Sequence, residues 1–338
     1  GPYVATSFTA MTDVKMRANE NYWGGAPKAD TVELKIIDDQ DALDMALANG
    51  EIDLIAQETA NGASKFTDTS KYTTDTVTTT RANFLSFNLK TEGLDDLAIN
   101  YCIDRGGYAD VVYQGFATPC YGIYPDNLAF GGTDGLNLTV DSYDADKAKE
   151  ILEAAGWAEG DDGIREKDGA RAEFTMLYPA SDSVRQALAE DSKNQLAELG
   201  IEVTTEGVDW DTAYTRAESE PLVWGWGAHT PMELYNIYHT MSETGLAEYS
   251  PYANETVDKY MDEALKSSDL EASYDLWKKA QWDGESGITQ EGDIPWIWLC
   301  NIDHLYFVKD GLKVADQKIH PHGHGWSIVN NVDQWSWE

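Results

Sequence analysis

The chain has 338 residues, 42% of them apolar and 11% aromatic, with 12 Trp and 18 Tyr, so it is long enough for two packed domains and too apolar for a disordered segment. Sixty acidic side chains against 24 basic ones give a formal charge of −36, which repels phosphate backbones and anionic lipid and excludes nucleic acid as an expected partner. No apolar run approaches the roughly 18 residues a membrane-spanning helix needs.

The chain opens at Gly1-Pro2-Tyr3 without an initiator Met or a signal peptide, which reads as a processed or truncated product. Cys102, Cys120 and Cys300 form no Cys-x-x-Cys pair, so a zinc ribbon or thioredoxin-like site is not expected. A Cys102–Cys120 bridge in an oxidising compartment and three buried free thiols are both compatible with the spacing.

Taken in order, Asp13–Ala18 and Thr31–Ile37 read as strands, separated by a turn-rich segment carrying Tyr22 and Trp23. Residues 41–48 (DALDMALA) form a helix with an acidic start, stopped by Asn49-Gly50, and 51–56 (EIDLIA) a further strand. This strand–helix–strand order predicts an α/β domain with a partly parallel sheet. Residues 61–80, rich in Thr, Ser, Asp and Lys, read as a surface excursion, and 83–89 (NFLSFNL) as a strand. Helical spacing runs from Leu94 to Tyr113, and 118–135 read as an ordered, turn-dense loop. Asp144–Ala155 and Asp182–Leu199 read as capped helices closed by Gly156 and Gly200. Phe174–Tyr178, Glu202–Val208 and Leu222–Trp226 read as strands. Helices at Thr256–Ser267 and Glu271–Trp282 precede an apolar strand at Ile294–Cys300. The punctuation divides the chain into a first lobe at 1–88, a second at 89–296, and a return to the first at 297–338.

Two features carry chemistry. His320, His322 and His324 place three of the six histidines in five residues. In an extended segment they project to one side, and imidazole is the commonest protein ligand for Zn, Ni and Cu. Chance clustering or a stacking role is the other reading. Trp224 and Trp226 lie two apart, so one strand face presents both, as a ligand wall or as core. The sequence has no Gly-x-Ser-x-Gly, no phosphate-binding loop lysine motif and no Gly-x-Gly-x-x-Gly. His239 and His304 read as isolated structural residues.

Several segments in order resemble one family. They are Gly1-Pro2-Tyr3, Ala18-Asn19-Glu20-Asn21-Tyr22-Trp23-Gly24-Gly25-Ala26-Pro27-Lys28, Ala46-Leu47-Ala48-Asn49-Gly50-Glu51-Ile52-Asp53, Phe84-Leu85-Ser86-Phe87-Asn88 and Ala98-Ile99-Asn100-Tyr101-Cys102-Ile103-Asp104-Arg105. Ile151-Leu152-Glu153-Ala154-Ala155-Gly156-Trp157 and Gln195-Leu196-Ala197-Glu198-Leu199-Gly200-Ile201 complete the set. Together they resemble the extracytoplasmic solute-binding proteins of ABC importers, the peptide/nickel family (family 5). The resemblance implies an α/β, two-lobe, periplasmic-binding-protein-like (type II) architecture whose first lobe is incomplete here. It implies a monomer that encloses a small solute between its lobes and delivers it to an ABC permease in the membrane. It also implies an extracytoplasmic location, in the periplasm or lipid-anchored at the cell surface, with signal and anchor outside this chain.

The same resemblance places ligand contacts after the Trp strand, here at Trp224, Trp226, His229, Tyr235 and Asn236. Peptide binders usually carry an Asp where this chain has His229, a departure that favours a ligand wanting a neutral nitrogen donor. His229 as a helix cap is the plainer alternative. Arg81, before the crossing strand, is a candidate clamp for a ligand carboxylate, or an ion-pair partner for one of the many acids. The metal reading combines His229 with His320, His322 and His324. No cofactor is obligatory, and Ni(II) or a nickel chelate is the expected cargo. The expected function is capture of a nickel-type metal chelate without catalysis. Within the family the alternative is an oligopeptide or dipeptide binder, and outside it a metal-dependent hydrolase built on the C-terminal histidines.

Overall fold

The structure is a computed structural model that describes residues 1–86, 96–125, 128–132, 136, 138, 143–228, 230–244, 249, 252–316 and 328–338. The chain divides into two units, one of Gly1–Thr79 with Asp303–Glu338 and one of Thr80–Ile302.

In the first unit β1 (Tyr3–Thr9), β2 (Asp13–Ala18) and β3 (Thr31–Lys35) make an antiparallel meander. Helix α1 (Gln40–Ala48) starts where the Asp39 carboxylate accepts the Ala42 N–H at 2.8 Å. It stops at Gly50, whose φ of 75° is the left-handed turn a side chain would resist. Then come β4 (Leu54–Glu58), the short α2 (Ala60–Ala63) and the start of β5 (Tyr72–Ser86). The expected strand–helix–strand unit is therefore not a parallel one. β3 belongs to the meander, whereas β4 pairs antiparallel with a strand from the end of the chain. The Thr-rich stretch from Tyr72 to Thr80, read as a surface excursion, is strand as well: Thr is β-branched and suits a pleated surface even where it is polar.

The second unit continues β5 and adds α3 (Asp96–Cys102), α4 (Arg105–Gly107), a π-helical turn (Tyr108–Val112) and β6 (Ala117–Pro119). Helix α5 (Ala145–Ala154) leads into a small meander of β7 (Ala158–Glu159), β8 (Arg165–Lys167) and β9 (Ala170–Arg171). Next follow β10 (Glu173–Pro179), α6 (Ser183–Ala197), β11 (Glu202–Val208), α7 (Trp210–Arg216) and β12 (Leu222–Gly227). Helices α8 (Met232–Tyr238), α9 (Glu255–Lys266) and α10 (Leu270–Gln281) precede β13 (Trp296–Lys309), which carries the chain back to the first unit. There β14 (Leu312–Lys313) pairs with β15 (Ser336–Trp337).

In the second unit's sheet the order is β11-β10-β12-β5-β13, with β6 also on β13. β10, β11 and β12 run parallel, and β5 runs against β12. Alternation along these strands builds a core on each face. Leu85, Val223, Ile297 and Leu299 pack with Leu152 of α5 and Leu188 and Leu196 of α6. Phe84, Trp224, Trp296 and Trp298 pack with residues of α8, α9 and α10, among them Leu234, Met261 and Trp277. Phe84 lies flat on Trp296, with ring centroids 4.3 Å apart. A sheet buried on both faces with parallel strands joined by helices is the α/β arrangement the sequence predicts.

Arg105, in the Ile103-Asp104-Arg105 segment, is 4% exposed. Its Nε donates to the carbonyls of Trp298 (2.6 Å) and Cys120 (3.1 Å), and its Nη1 to that of Asn100 (3.3 Å). One guanidinium thus satisfies carbonyls from three separate segments. All three cysteines are buried free thiols. Burial, the dominant cause, pushes the Cys102 and Cys300 thiols up to about 12.

Candidate functional site

Strand β12 reads Leu-Val-Trp-Gly-Trp-Gly, and its pairing with β5 sets Gly225 opposite Asn83, Trp226 opposite Ala82 and Gly227 opposite Arg81. Directly opposed residues share a face, so Trp224 and Trp226 lie on one side of the sheet. Asn83, Arg81 and the two glycines lie on the other. Trp224 is 6% exposed and belongs to the core, stacked against Phe84 at 6.1 Å and edge-on to Tyr249 at 5.1 Å. Trp226 is half-buried, and its Nε1–H donates to Glu233 Oε2 at 3.2 Å.

Helix α8 is fixed to the sheet side by Tyr124. Its hydroxyl donates to the Pro231 carbonyl at 2.9 Å and accepts the Leu234 N–H at 3.2 Å. Tyr235 stacks on His239 at a centroid distance of 4.1 Å. The His239 Nδ1 accepts the Met241 N–H at 3.0 Å, which leaves the ring proton on Nε2, 3.6 Å from Asp262 and 3.8 Å from Asp258. The Asn236 carbonyl accepts the hydroxyls of Ser242, at 2.7 Å, and Thr244. Both ligand candidates on this helix thus also brace the turn that follows it.

Arg81 is half-buried at the start of the second unit, and its backbone carbonyl accepts Asn301 Nδ2 at 2.7 Å. Burial, and then the neighbouring Arg185 guanidinium, hold its pKa below the usual arginine value, while Asp182 works in the opposite direction.

Of the residues the sequence singles out, Arg81, Trp224, Trp226, Tyr235 and Asn236 all fall in the second unit, and Trp226 meets α8 through Glu233. His229, His320, His322 and His324 lie outside the described residues. Among the described residues no group of three or more His, Cys, Asp or Glu is placed to hold a metal ion. Three residues the sequence reading missed stand out. Glu233 is a carboxylate only 7% exposed, Arg185 a guanidinium only 5% exposed, and Trp210 an indole 37% exposed beside it. The available signals were an acid two residues after Pro231, an Arg inside the Asp182-capped first turn of α6, and the place of Trp210 directly after the Asp209 cap of α7.

The fold is that of two-lobe solute-binding proteins. The nickel-binding NikZ from Campylobacter jejuni, solved in complex with Ni(L-His), superposes with a TM-score of 0.81 at 22% identity, covering 99% of this chain and 68% of that one. A family model for bacterial extracellular solute-binding proteins, family 5, matches residues 1–248, and the chain belongs to that family. Among curated relatives, Protein XP55 of Streptomyces lividans is 28% identical over 319 residues, covering 92% of this chain and 56% of the relative. The oligopeptide-binding protein AppA of Bacillus subtilis is 28% identical over 281 residues, covering 80% of this chain and 51% of the relative. The chain thus spans about half the length of the curated relatives it matches.

Proposed function

We propose that this chain is part of the solute-binding component of an ABC importer. It works outside the cytoplasm as a monomer, captures a nickel-type metal chelate without catalysing a reaction, and passes it to a membrane permease. The observation that carries the importer reading is the family match over residues 1–248. The chelate reading is supported by the residue at the head of the ligand segment, where the Trp-rich strand β12 runs into His229 rather than an acid. A neutral imidazole is a nickel donor, and a carboxylate there would instead suit a peptide ammonium. The Ni(L-His) complex of the similar NikZ fits the same reading. In it, a small chelator fills coordination positions, and His229 with His320, His322 and His324 supplies the remaining donors. Trp226, Tyr235 and Asn236 then flank the solute, and Arg81 meets its carboxylate.

A short peptide is the second reading, and the 28% identity to the oligopeptide-binding AppA favours it. Calorimetric titration of the full-length protein separates the two. Saturating heat with Ni(II) plus L-histidine, lost in His229→Ala, supports the chelate. Heat only with trialanine, unchanged by added nickel, supports the peptide.

A further inference from the structure

His239 closes α8, directly after Tyr238, and is only 6% exposed. A buried neutral imidazole needs a partner on each nitrogen, because one donates and the other accepts. Here one nitrogen is served. Nδ1 accepts the Met241 N–H at 3.0 Å, whereas Nε2, which carries the ring proton, makes no hydrogen bond to a described residue. What Nε2 faces is charge. Asp262 Oδ1 lies 3.6 Å away and Asp258 Oδ1 3.8 Å away, one turn apart on α9 and just beyond hydrogen-bond reach.

Three elements surround the ring. From α8, Tyr235 stacks on it. From α9 come Asp258, whose Oδ1 also accepts the Thr240 N–H at 3.1 Å, and Asp262, whose Oδ2 lies 3.7 Å from the exposed Lys266 ammonium. The turn after α8 contributes the Met241 N–H. Among the described residues, the charges nearest Nε2 are therefore two carboxylates, with one cation on the far oxygen of the second.

A second proton has one place to go. On Nδ1 it would oppose the Met241 N–H, donor against donor, and that hydrogen bond must break. The imidazolium meanwhile gains two negative neighbours in a poorly solvated place. One proton thus loosens the ring from the turn and draws it toward α9. The Met241 side chain is exposed, so its backbone can swing toward water without losing packing. The rest of the turn stays tied, by the Ser242 and Thr244 hydroxyls on the Asn236 carbonyl and by the Ser242 N–H on the His239 carbonyl.

We propose that His239 is a proton-operated latch between α8 and α9. Neutral, it holds the turn through the Met241 N–H; protonated, it releases Met241 and closes on Asp258 and Asp262. Histidine is the side chain whose ordinary titration falls between about pH 5 and 8, so the latch works in that range. Tyr235 stacks on the ring and the Asn236 carbonyl holds the turn, so the proton acts on the stretch of α8 that carries both ligand candidates.

The test follows the Met241 amide and the His239 ring of the full-length protein by NMR, from about pH 8 down to about pH 5. No solute is added, so the outcome does not depend on the function proposed above. The expected result is one transition, with the same midpoint at both positions. His239→Asn keeps an acceptor for the Met241 N–H but does not titrate in this range, and the Met241 transition should vanish. Asp262→Asn removes one carboxylate from the imidazolium, and the midpoint should move toward acid. Circular dichroism checks that each variant is folded, and the half-exposed Asp262→Asn carries the test should His239→Asn fail to fold. A Met241 amide that ignores the pH while His239 titrates overturns the latch. So does a ring that takes up no proton over the range, or a midpoint unchanged in Asp262→Asn.

Discussion

The Nη2 of Arg185 lies 2.8 Å from where a Cβ on Gly225 would sit, so the absence of a side chain at 225 is what lets the guanidinium rest against β12. The same Cβ would meet Asn83 Oδ1 at 2.7 Å, so both polar groups depend on this glycine. Gly225→Ala is expected to push the Arg185 head group off the strand, because the far end of a long side chain moves more readily than backbone. The stability cost is expected to be about 1 kcal/mol, at the low end for an added methyl group. Thermal melting of the variant reads this cost, and a melting temperature equal to the wild type's would contradict the described contact.

Gly200→Ala is the contrasting substitution. Gly200 closes α6 with φ at 76°, and a Cβ there would come within 2.7 Å of the Gly163 carbonyl, which is backbone and cannot rotate aside. Left-handed strain and the clash together predict a loss of roughly 2 kcal/mol or more. Urea denaturation checks this, and a variant as stable as the wild type would contradict the described turn.

Asp75 lines a cavity of about 410 Å³ in the first unit together with Asp310, Lys313 and Asp316. Burial, and then the Asp316 charge, raise its carboxyl above the usual value. The native state therefore holds this proton at pH values where the unfolded chain has released it. Stability falls as pH rises from the ordinary carboxylate range through the raised native value. Asp75→Asn removes that loss, so its melting temperature should match the wild type below the ordinary carboxylate range and exceed it once the pH has passed the raised native value. A constant difference across the range would show that Asp75 does not titrate in this way.

Burial that lifts Cys102 and Cys300 to about 12 leaves almost no thiolate at neutral pH. An aromatic disulfide reagent at pH 8 is expected to label none of the three thiols in the native protein and all three in denaturant. Fewer than three thiols after denaturation without reductant would reveal a disulfide.

Arg105→Lys is expected to destabilise by about 3 kcal/mol, since an ammonium cannot reproduce a planar fork among the carbonyls of Trp298, Cys120 and Asn100. Chemical denaturation of the variant measures this directly.

Much of the second unit was legible in the sequence because local and long-range signals agree there. β10, α6 and β11 follow one another with an acidic cap at Asp182 and a left-handed glycine at Gly200. The first unit was harder. The polar run from Tyr72 to Thr80 hides its strand because Thr contributes β-propensity without apolar character. β13 runs on past the expected Cys300 because Asn301, Asp303 and His304 break the apolar pattern while the backbone stays extended. At the candidate site, Trp224 and Trp226 announced themselves by spacing. The juxtaposition of Arg81 with Gly227, and of Arg185 with Gly225, depends on strand pairing and helix packing across more than a hundred residues in the first case and 40 in the second. The Asp182 cap marks Arg185 as a first-turn residue of α6, but nothing local shows that its guanidinium meets Gly225.

The most direct test of the account is calorimetric titration of the full-length protein with Ni(II) alone, Ni(II) with L-histidine, and trialanine. One saturable event is expected with Ni(II)–histidine, micromolar or tighter (about −8 kcal/mol or stronger), and weakened in His229→Ala. Binding of trialanine alone would move the ligand to the peptide class. No heat with any of the three would contradict the capture of a metal chelate or short peptide on which the account rests.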